Sequence, residues 1–330
     1  SRYKSMFGRW CYAKFSHDWK DSVPFNHRPH AKNPDRAFLS SANQNPVEPS
    51  YPYYIPGDYA PPFRGARIDQ MLSEINSGDH EDLRLIQMDN KSLLAQRTTP
   101  HIIKTLSLEN LSDEQKELIR ELESWDYIYN PDSKVAILFD AWIKKISKMT
   151  WLDHLGEVSH NVEWPNYRIL SDLIIDEPNS KWFDDISTPK KESSYDIIQH
   201  SFETESLRLL EKLGPYGNQW EWGKARGSDI HHLAKIPGFG ELHLPTGGDW
   251  NIPNATSTTH GPSWRYVVEL GDKPRGYGIY PGGQSGYPGS EHYNDFVDDW
   301  VDGILYELEF PYSESEIDGH RVSFIPEEKK

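Results

Sequence analysis

At 330 residues the chain has room for two average domains or one large one, and it reads as one folded body. Asp and Glu total 51 against 35 Lys and Arg, a formal charge of -16 that repels a phosphate backbone and argues against nucleic acid as a partner. The single cysteine, Cys11, excludes an internal disulfide framework; no charged-then-apolar signal segment is seen, and no apolar run reaches the roughly 20 residues of a membrane-spanning helix, so no membrane partner is expected.

Apolar residues make up 36% of the chain and aromatics 13%, so its 12 Trp and 18 Tyr must supply much of the buried area, and some rings are expected to face another chain. Residues 1 to 62 are rich in Pro, Tyr and His and read as loops, apart from Ala37-Phe38-Leu39-Ser40-Ser41-Ala42, which reads as a short buried strand. From Phe63 the apolar residues Ile68, Met71, Leu72 and Ile75 recur at helical spacing, which predicts a helix over about Arg64 to Ile75, stopped by Ser77-Gly78. A second helical block is expected from Glu81 to about Leu106. A third opens on Ser112-Asp113-Glu114-Gln115, the form of a capping box, and runs to about Leu122. A fourth starts at Asp132 or Ser133 with Val135, Leu138, Phe139, Trp142 and Ile146 on one face. Ser193 or Ser194 begins a long amphipathic helix through Ile197, Phe202, Leu207 and Leu210 to Leu213, where Gly214 provides the stop. Residues 214 to 263 are turn-rich and extended, and Trp264-Arg265-Tyr266-Val267-Val268-Glu269-Leu270 is the strongest strand. The fold class is α+β, strands around a largely helical middle, with no internal repeat.

Taken by pattern alone, few residues announce chemistry. An Asn such as Asn43 after a strand is ordinarily a turn residue, and an Arg such as Arg64 at a helix start is ordinarily solvated or ion-paired. Gly283 to His292 lacks P-loop or dinucleotide spacing and reads as a structural turn. His231-His232 reads as packing, because adjacent side chains do not converge on one ion without further ligands. Asp89, on its helix, reads as a buried hydrogen-bonding group, and Asp295, Asp298, Asp299 and Asp302 as a solvated helix face. No metal-ligand set can be named.

Five segments in order resemble the penicillin acylase family of N-terminal-nucleophile hydrolases. They are Trp19 with Val23-Pro24-Phe25, Pro29 and Asn33-Pro34, leading into Ser41-Ala42-Asn43-Gln44; Phe63-Arg64-Gly65-Ala66-Arg67-Ile68; Ile86-Gln87-Met88-Asp89 with Ser92; Trp220-Glu221-Trp222-Gly223, then Gly247-Gly248-Asp249, Asn254-Ala255 and Ser263-Trp264-Arg265-Tyr266-Val267-Val268; and Gly283-Gln284-Ser285-Gly286-Tyr287-Pro288-Gly289-Ser290-Glu291-His292-Tyr293 with Trp300. The resemblance implies the C-terminal portion, residues 1-330, of the β chain of an αββα Ntn-hydrolase sandwich, a heterodimer cut by autoproteolysis from one precursor. The partners it implies are a companion α chain, the N-terminal part of the β chain and a small N-acyl amide substrate of the penicillin, acyl-homoserine lactone or lipopeptide kind. It implies no catalytic cofactor, a structural calcium whose ligands this sequence does not name, and a periplasmic or secreted location.

In that family a β-chain N-terminal serine attacks the amide, and its own free α-amine, with an unperturbed pKa of about 7.7 to 8.0, serves as base. The attack builds negative charge on oxygen, which fixed neutral donors must meet. The resemblance gives Asn43 as such an oxyanion-hole donor. It gives Arg64 as the arginine beside nucleophile and asparagine, a permanent cation that helps hold the amine neutral. Ser1-Arg2-Tyr3-Lys4 stands too few residues before Asn43 to contain the strands the family places between them, so the nucleophile is expected on another segment and the chain is expected to be incomplete without companions. Two other readings compete: a catalytically inactive fragment that keeps the packing motifs as a binding scaffold, and a glycan-binding or glycoside-hydrolase domain with paired carboxylates in a Trp-lined groove.

Overall fold

The computed structural model describes residues 22–325; Ser1, Cys11 and Trp19 lie outside them. Helix α1 spans Phe63–Glu74, entered through Pro61-Pro62 and anchored by the buried Phe63 and Gly65. The expected Glu81 to Leu106 block divides into α2, His80–Gln87, and α3, Leu93–Lys104. The break has a local cause. Residues 90 to 92 leave the helix to pair with 127 to 129, Tyr129 N–H donating to the Asn90 carbonyl and Ser92 N–H to the Tyr127 carbonyl, both at 2.9 Å. Each helix is then restarted by its own cap: Asp79 with Asp82 forms a capping box on α2, and the Ser92 hydroxyl accepts from Ala95 N–H on α3.

Helix α4, Asp113–Glu123, carries the expected capping box, Ser112 Oγ accepting from Gln115 N–H at 3.3 Å and Gln115 Oε1 from Ser112 N–H at 3.0 Å. The Gln115 amide also donates to Ser206 Oγ at 2.8 Å, tying the helix start to the long helix behind it. Ser112→Ala is expected to lower the unfolding free energy by about 0.5–2 kcal/mol, read as a shifted urea midpoint at unchanged slope.

Helices α5, Ala136–Leu155, and α7, Ser194–Leu213, pack on each other and form the centre of the molecule. The apolar face expected on α5 is buried, with Trp142 and Ile146 at 0% exposure. Trp142 sits edge-on to Phe202 at 4.9 Å, and its indole N–H donates to Ser201 Oγ at 3.0 Å and to the Ile198 carbonyl at 3.2 Å. Between them in sequence lies α6, Tyr167–Asp176, which periodicity over so short a segment did not reveal. It packs on α3 through Thr98···Ser171 at 3.1 Å and Arg97–Asp172 at 2.5 Å.

After Gly214, which ends α7 at φ +77°, a short helix α8, Trp222–Ala225, buries Trp222 completely. Strands β1, Ser228–Ile230, and β2, Glu241–Leu244, pair antiparallel. The strand expected at Trp264–Leu270 is β3, Arg265–Glu269, at one edge of a three-stranded antiparallel sheet with β4, Arg275–Ile279, in the centre and β5, Tyr306–Leu308, beyond it. Helix α9, Val297–Asp302, carries Asp298, Asp299 and Asp302 of the acidic run, with Asp298 and Asp302 exposed as expected. Sheet and helices are joined by His80, which stacks on Tyr277 at 3.8 Å and bonds Glu269 at 2.7 Å.

The α+β class therefore holds, while the strand expected at residues 37 to 42 does not form. Burial there does alternate with period two, Phe38, Ser40 and Ala42 turned inward and Ala37, Leu39 and Ser41 outward, but no strand pairs with the segment among the described residues. Ala37, at φ +60°, turns the chain at the segment's start, and the Ser40 hydroxyl and the Ala42 carbonyl bond the α1 side chains Asp69 and Arg64.

Candidate active site

Asn43 and Arg64 meet through the way residues 36 to 44 lie along α1. Asp69, on the second turn of that helix, accepts from Arg36 Nη1 at 3.0 Å and from the Ser40 hydroxyl, which draws the incoming segment against the helix flank. One and a half turns earlier, Arg64 Nη2 donates to the Ala42 carbonyl at 3.0 Å and to Asn43 Oδ1 at 2.5 Å. Gln44 closes the bend from the other side, its Oε1 accepting from Ala42 N–H at 2.6 Å. The Gln44 amide fits there because Gly65 has no side chain; a Cβ on Gly65 would lie 2.9 Å from Gln44 Cδ. Asn43 itself is held at φ +63°, a left-handed conformation that Asn tolerates better than most residues, and its carbonyl accepts from Ala60 N–H at 2.8 Å.

This geometry decides which way the Asn43 amide points. A guanidinium can only donate, so it selects the amide oxygen. Asn43 Nδ2 is left without an acceptor among the described residues, on an exposed side chain, as a donor of fixed direction. Arg64 is half-buried with no carboxylate paired to it among the described residues, and burial pushes its guanidinium below the ordinary arginine range; its Nε likewise has no partner there. The pair is a polar clamp, not an ion pair.

One turn along α1, Arg67 grips Asp89 with two bonds, Nε to Oδ2 at 3.0 Å and Nη2 to Oδ1 at 2.8 Å, with side chains 19% and 11% exposed. Asp89 is thus the hydrogen-bonding group its sequence suggested, though it lies just past the end of α2 and is only partly buried, and it fixes the rotation of α1 about its axis. Asp89→Ala leaves the Arg67 charge without its acceptor and is expected to cost about 1.5–3 kcal/mol in urea unfolding. From Asp89 a polar chain runs on: its carbonyl accepts from Asn254 N–H at 3.0 Å, Asn254 Nδ2 donates to Asn90 Oδ1 at 2.9 Å, and Arg265 Nη2 donates to Asn254 Oδ1 at 3.1 Å. Arg265, 3% exposed, completes its contacts on the Trp300 carbonyl and ring face, and burial lowers its guanidinium to about 10. The Asn254, Arg265 and Trp300 motifs are therefore packing.

The remaining candidates fall outside the clamp. Gly283 to His292 is a turn closed by Ser285 N–H on the His292 carbonyl at 2.9 Å, and His292 pairs with Asp295 at 2.9 Å. His232 packs edge-on against Phe239 at 5.6 Å. Among the described residues no three His, Cys, Asp or Glu are grouped to hold a metal ion. Gln44 and Gly65, which shape the clamp, stand in the motifs that carry the resemblance but were given no role of their own, and Asp69 was not singled out from sequence.

The clamp joins two of the sequence motifs in one site, and a family model described as penicillin amidase matches residues 13–318. The chain belongs to the penicillin amidase family. Among its relatives, acyl-homoserine lactone acylase QuiP of Pseudomonas aeruginosa is 26% identical over 92% of this chain and 40% of its own length. Acyl-homoserine lactone acylase QuiP of Pseudomonas fluorescens is 24% identical, covering 87% of this chain and 38% of the relative. Penicillin acylase 2 proenzyme of Pseudomonas sp. strain SE83 is 22% identical, covering 88% and 39%. This penicillin amidase family chain thus spans about two fifths of the length of these curated relatives.

Proposed function

We propose that the chain is the C-terminal portion of an Ntn-type N-acyl amide hydrolase, in which Asn43 Nδ2 donates to the oxyanion formed when a serine on another segment of the same precursor attacks the amide. The observation that carries this reading is the 2.5 Å bond from Arg64 to Asn43 Oδ1, which turns the amide so that a neutral donor faces outward. A preorganised neutral donor stabilises charge that appears only in the transition state, whereas a cation at the same point would also bind ground-state anions. Arg64, half-buried and unpaired by any carboxylate among the described residues, adds a positive potential that favours the neutral, basic form of a neighbouring α-amine. Residues 38 to 42, with period-two burial and no ladder partner among the described residues, suit pairing with a strand of the companion part, which would extend the sheets toward an αββα sandwich. The relatives' names support N-acyl substrates of the homoserine-lactone and penicillin kinds.

The test is hydrolysis of a series of N-acyl p-nitroanilides by the assembled, processed protein and by this chain alone. Turnover by the assembly and none by the lone chain is the expected result. An assembly that contains a serine-led chain yet hydrolyses no N-acyl amide, of any acyl length, contradicts it.

A further inference from the structure

A cavity of about 650 Å³ opens between α5, α6 and the loops at 249–251 and 257–260, and none of the residues that build the Asn43–Arg64 clamp lines it. Two carboxylates reach it, Asp140 from α5 and Asp249 from the loop after Gly248. Each has one cation beside it on the cavity wall. Arg226 Nη2 stands 3.6 Å from Asp249 Oδ1, while its hydrogen bonds go to Thr256, Nη1 to the hydroxyl at 3.1 Å and Nη2 to the carbonyl at 2.6 Å. Lys144 takes one oxygen of Asp140 at 2.8 Å from a side chain that is 58% exposed, at the outer rim.

An independent observation points to a ligand. Tyr129 lines the same cavity and is 3% exposed, and its hydroxyl, without a hydrogen-bond partner among the described residues, is reached by solvent from the cavity and is not sealed in the core. Tyr167 and Trp250 bring further rings to the wall.

We propose that this cavity binds a small organic ammonium ion, held between Asp140 and Asp249 and enclosed by the rings of Tyr129, Tyr167 and Trp250. An ammonium has three donors and no acceptor, which suits two carboxylates and a tyrosine oxygen, and its charge is attracted to ring faces. A bare divalent ion is a poor match, because only two carboxylates line the cavity and the described residues hold no larger ligand group. An anion would meet both carboxylates while Arg226 is committed to Thr256.

The geometry also makes binding depend on pH. Burial first, then the facing Asp140, pushes the Asp249 carboxyl up to about 6, with Arg226 and Lys144 pulling the other way. Tyr129, Tyr167 and His260 complete the titratable groups around it. Since the ammonium needs the ionised form, affinity rises with pH up to about 6 and levels off above it.

The inference does not rest on the acylase reading, and its test is independent of activity. Isothermal titration calorimetry with benzylammonium chloride, and with benzyl alcohol as neutral counterpart, is run on this chain above and below pH 6. The expected results are saturable benzylammonium binding above pH 6, an affinity about tenfold weaker one pH unit below the Asp249 pKa, and binding of the alcohol at least about tenfold weaker. Asp249→Asn, nearly isosteric, loses about tenfold or more, and Tyr129→Phe, which removes only the unpaired hydroxyl, also weakens binding; circular dichroism verifies both folds. Equal affinity for the alcohol, or an Asp249→Asn variant that binds as the parent does, overturns the proposal. The same ammonium chemistry could be supplied by a lysine of a companion chain. Binding by this chain and by the assembly assigns a free ligand, binding by this chain but not by the assembly assigns a companion lysine, and binding by neither overturns the site.

Discussion

Asn43→Ala in the assembled protein is expected to lower kcat for N-acyl amide hydrolysis by about a hundred- to a thousandfold, about 2.7–4 kcal/mol of barrier, with little change in KM. The split between the two constants matters: a donor aimed at an oxygen that becomes charged only in the transition state contributes little to ground-state binding. Asn43→Asp separates loss of the donor from loss of structure. A carboxylate there would pair with Arg64 more strongly than the amide does at 2.5 Å, so the bend should be kept, yet it presents negative charge to the developing oxyanion and should lose at least as much rate. Because Arg64 is read as acting through Asn43 and on the amine together, Arg64→Ala should lower the rate too. The double variant should fall short of the product of the two single effects, since the two side chains share one bond. Full additivity would place Arg64 elsewhere in the chemistry.

Trp142→Ala is expected to be the most damaging single change in the core, costing about 3–5 kcal/mol in urea unfolding. The residue is fully buried where α5 crosses α7, the most extensive helix contact of the fold, and truncation removes the ring that fills that contact and its edge-on partner Phe202 at 4.9 Å. The polar consequence is milder. The Ser201 hydroxyl still donates to the Ile198 carbonyl at 2.9 Å, so neither acceptor of the lost indole N–H is orphaned. Trp142→Phe, which keeps most of the volume, should therefore recover most of the loss; if it does not, the indole hydrogen bonds matter more than the packing.

Helices α4 and α7 were legible because period and punctuation agree, an apolar stripe behind Ser112 or Ser193 and, after α7, the stop at Gly214; α1 and α5 were legible from the stripe, and α5 begins at Ala136, past the expected start at Asp132 or Ser133, with no side-chain cap. Strand β4 was not, because its sequence, Arg275-Gly276-Tyr277-Gly278-Ile279, carries two glycines that depress strand propensity. Their reason is tertiary: a Cβ on Gly278 would stand 2.7 Å from the Trp264 ring lying across it, and one on Gly276 would stand 3.3 Å from Tyr266 Oη. Residues 37 to 42 show the converse. Their alternation was readable, but a strand is defined by its neighbour, and pattern within a segment does not say whether one is present.

At the site, Asn43 and Arg64 were legible only as parts of motifs in order, since either alone resembles an ordinary turn or helix start. That they touch follows from Asp69, Gln44 and Gly65, whose roles depend on the path of the chain around α1. That Asp140 and Asp249 line one cavity is a product of the helix packing, and no local spacing encodes it.

The measurement that bears most directly on the central claim is intact-mass spectrometry with N-terminal sequencing of every polypeptide in the natively purified, amide-hydrolysing protein. This chain is expected to be accompanied by a second or third polypeptide from the same precursor, one of which begins with serine. Amide hydrolysis by this chain alone, or by an assembly in which no chain begins with serine, would contradict it.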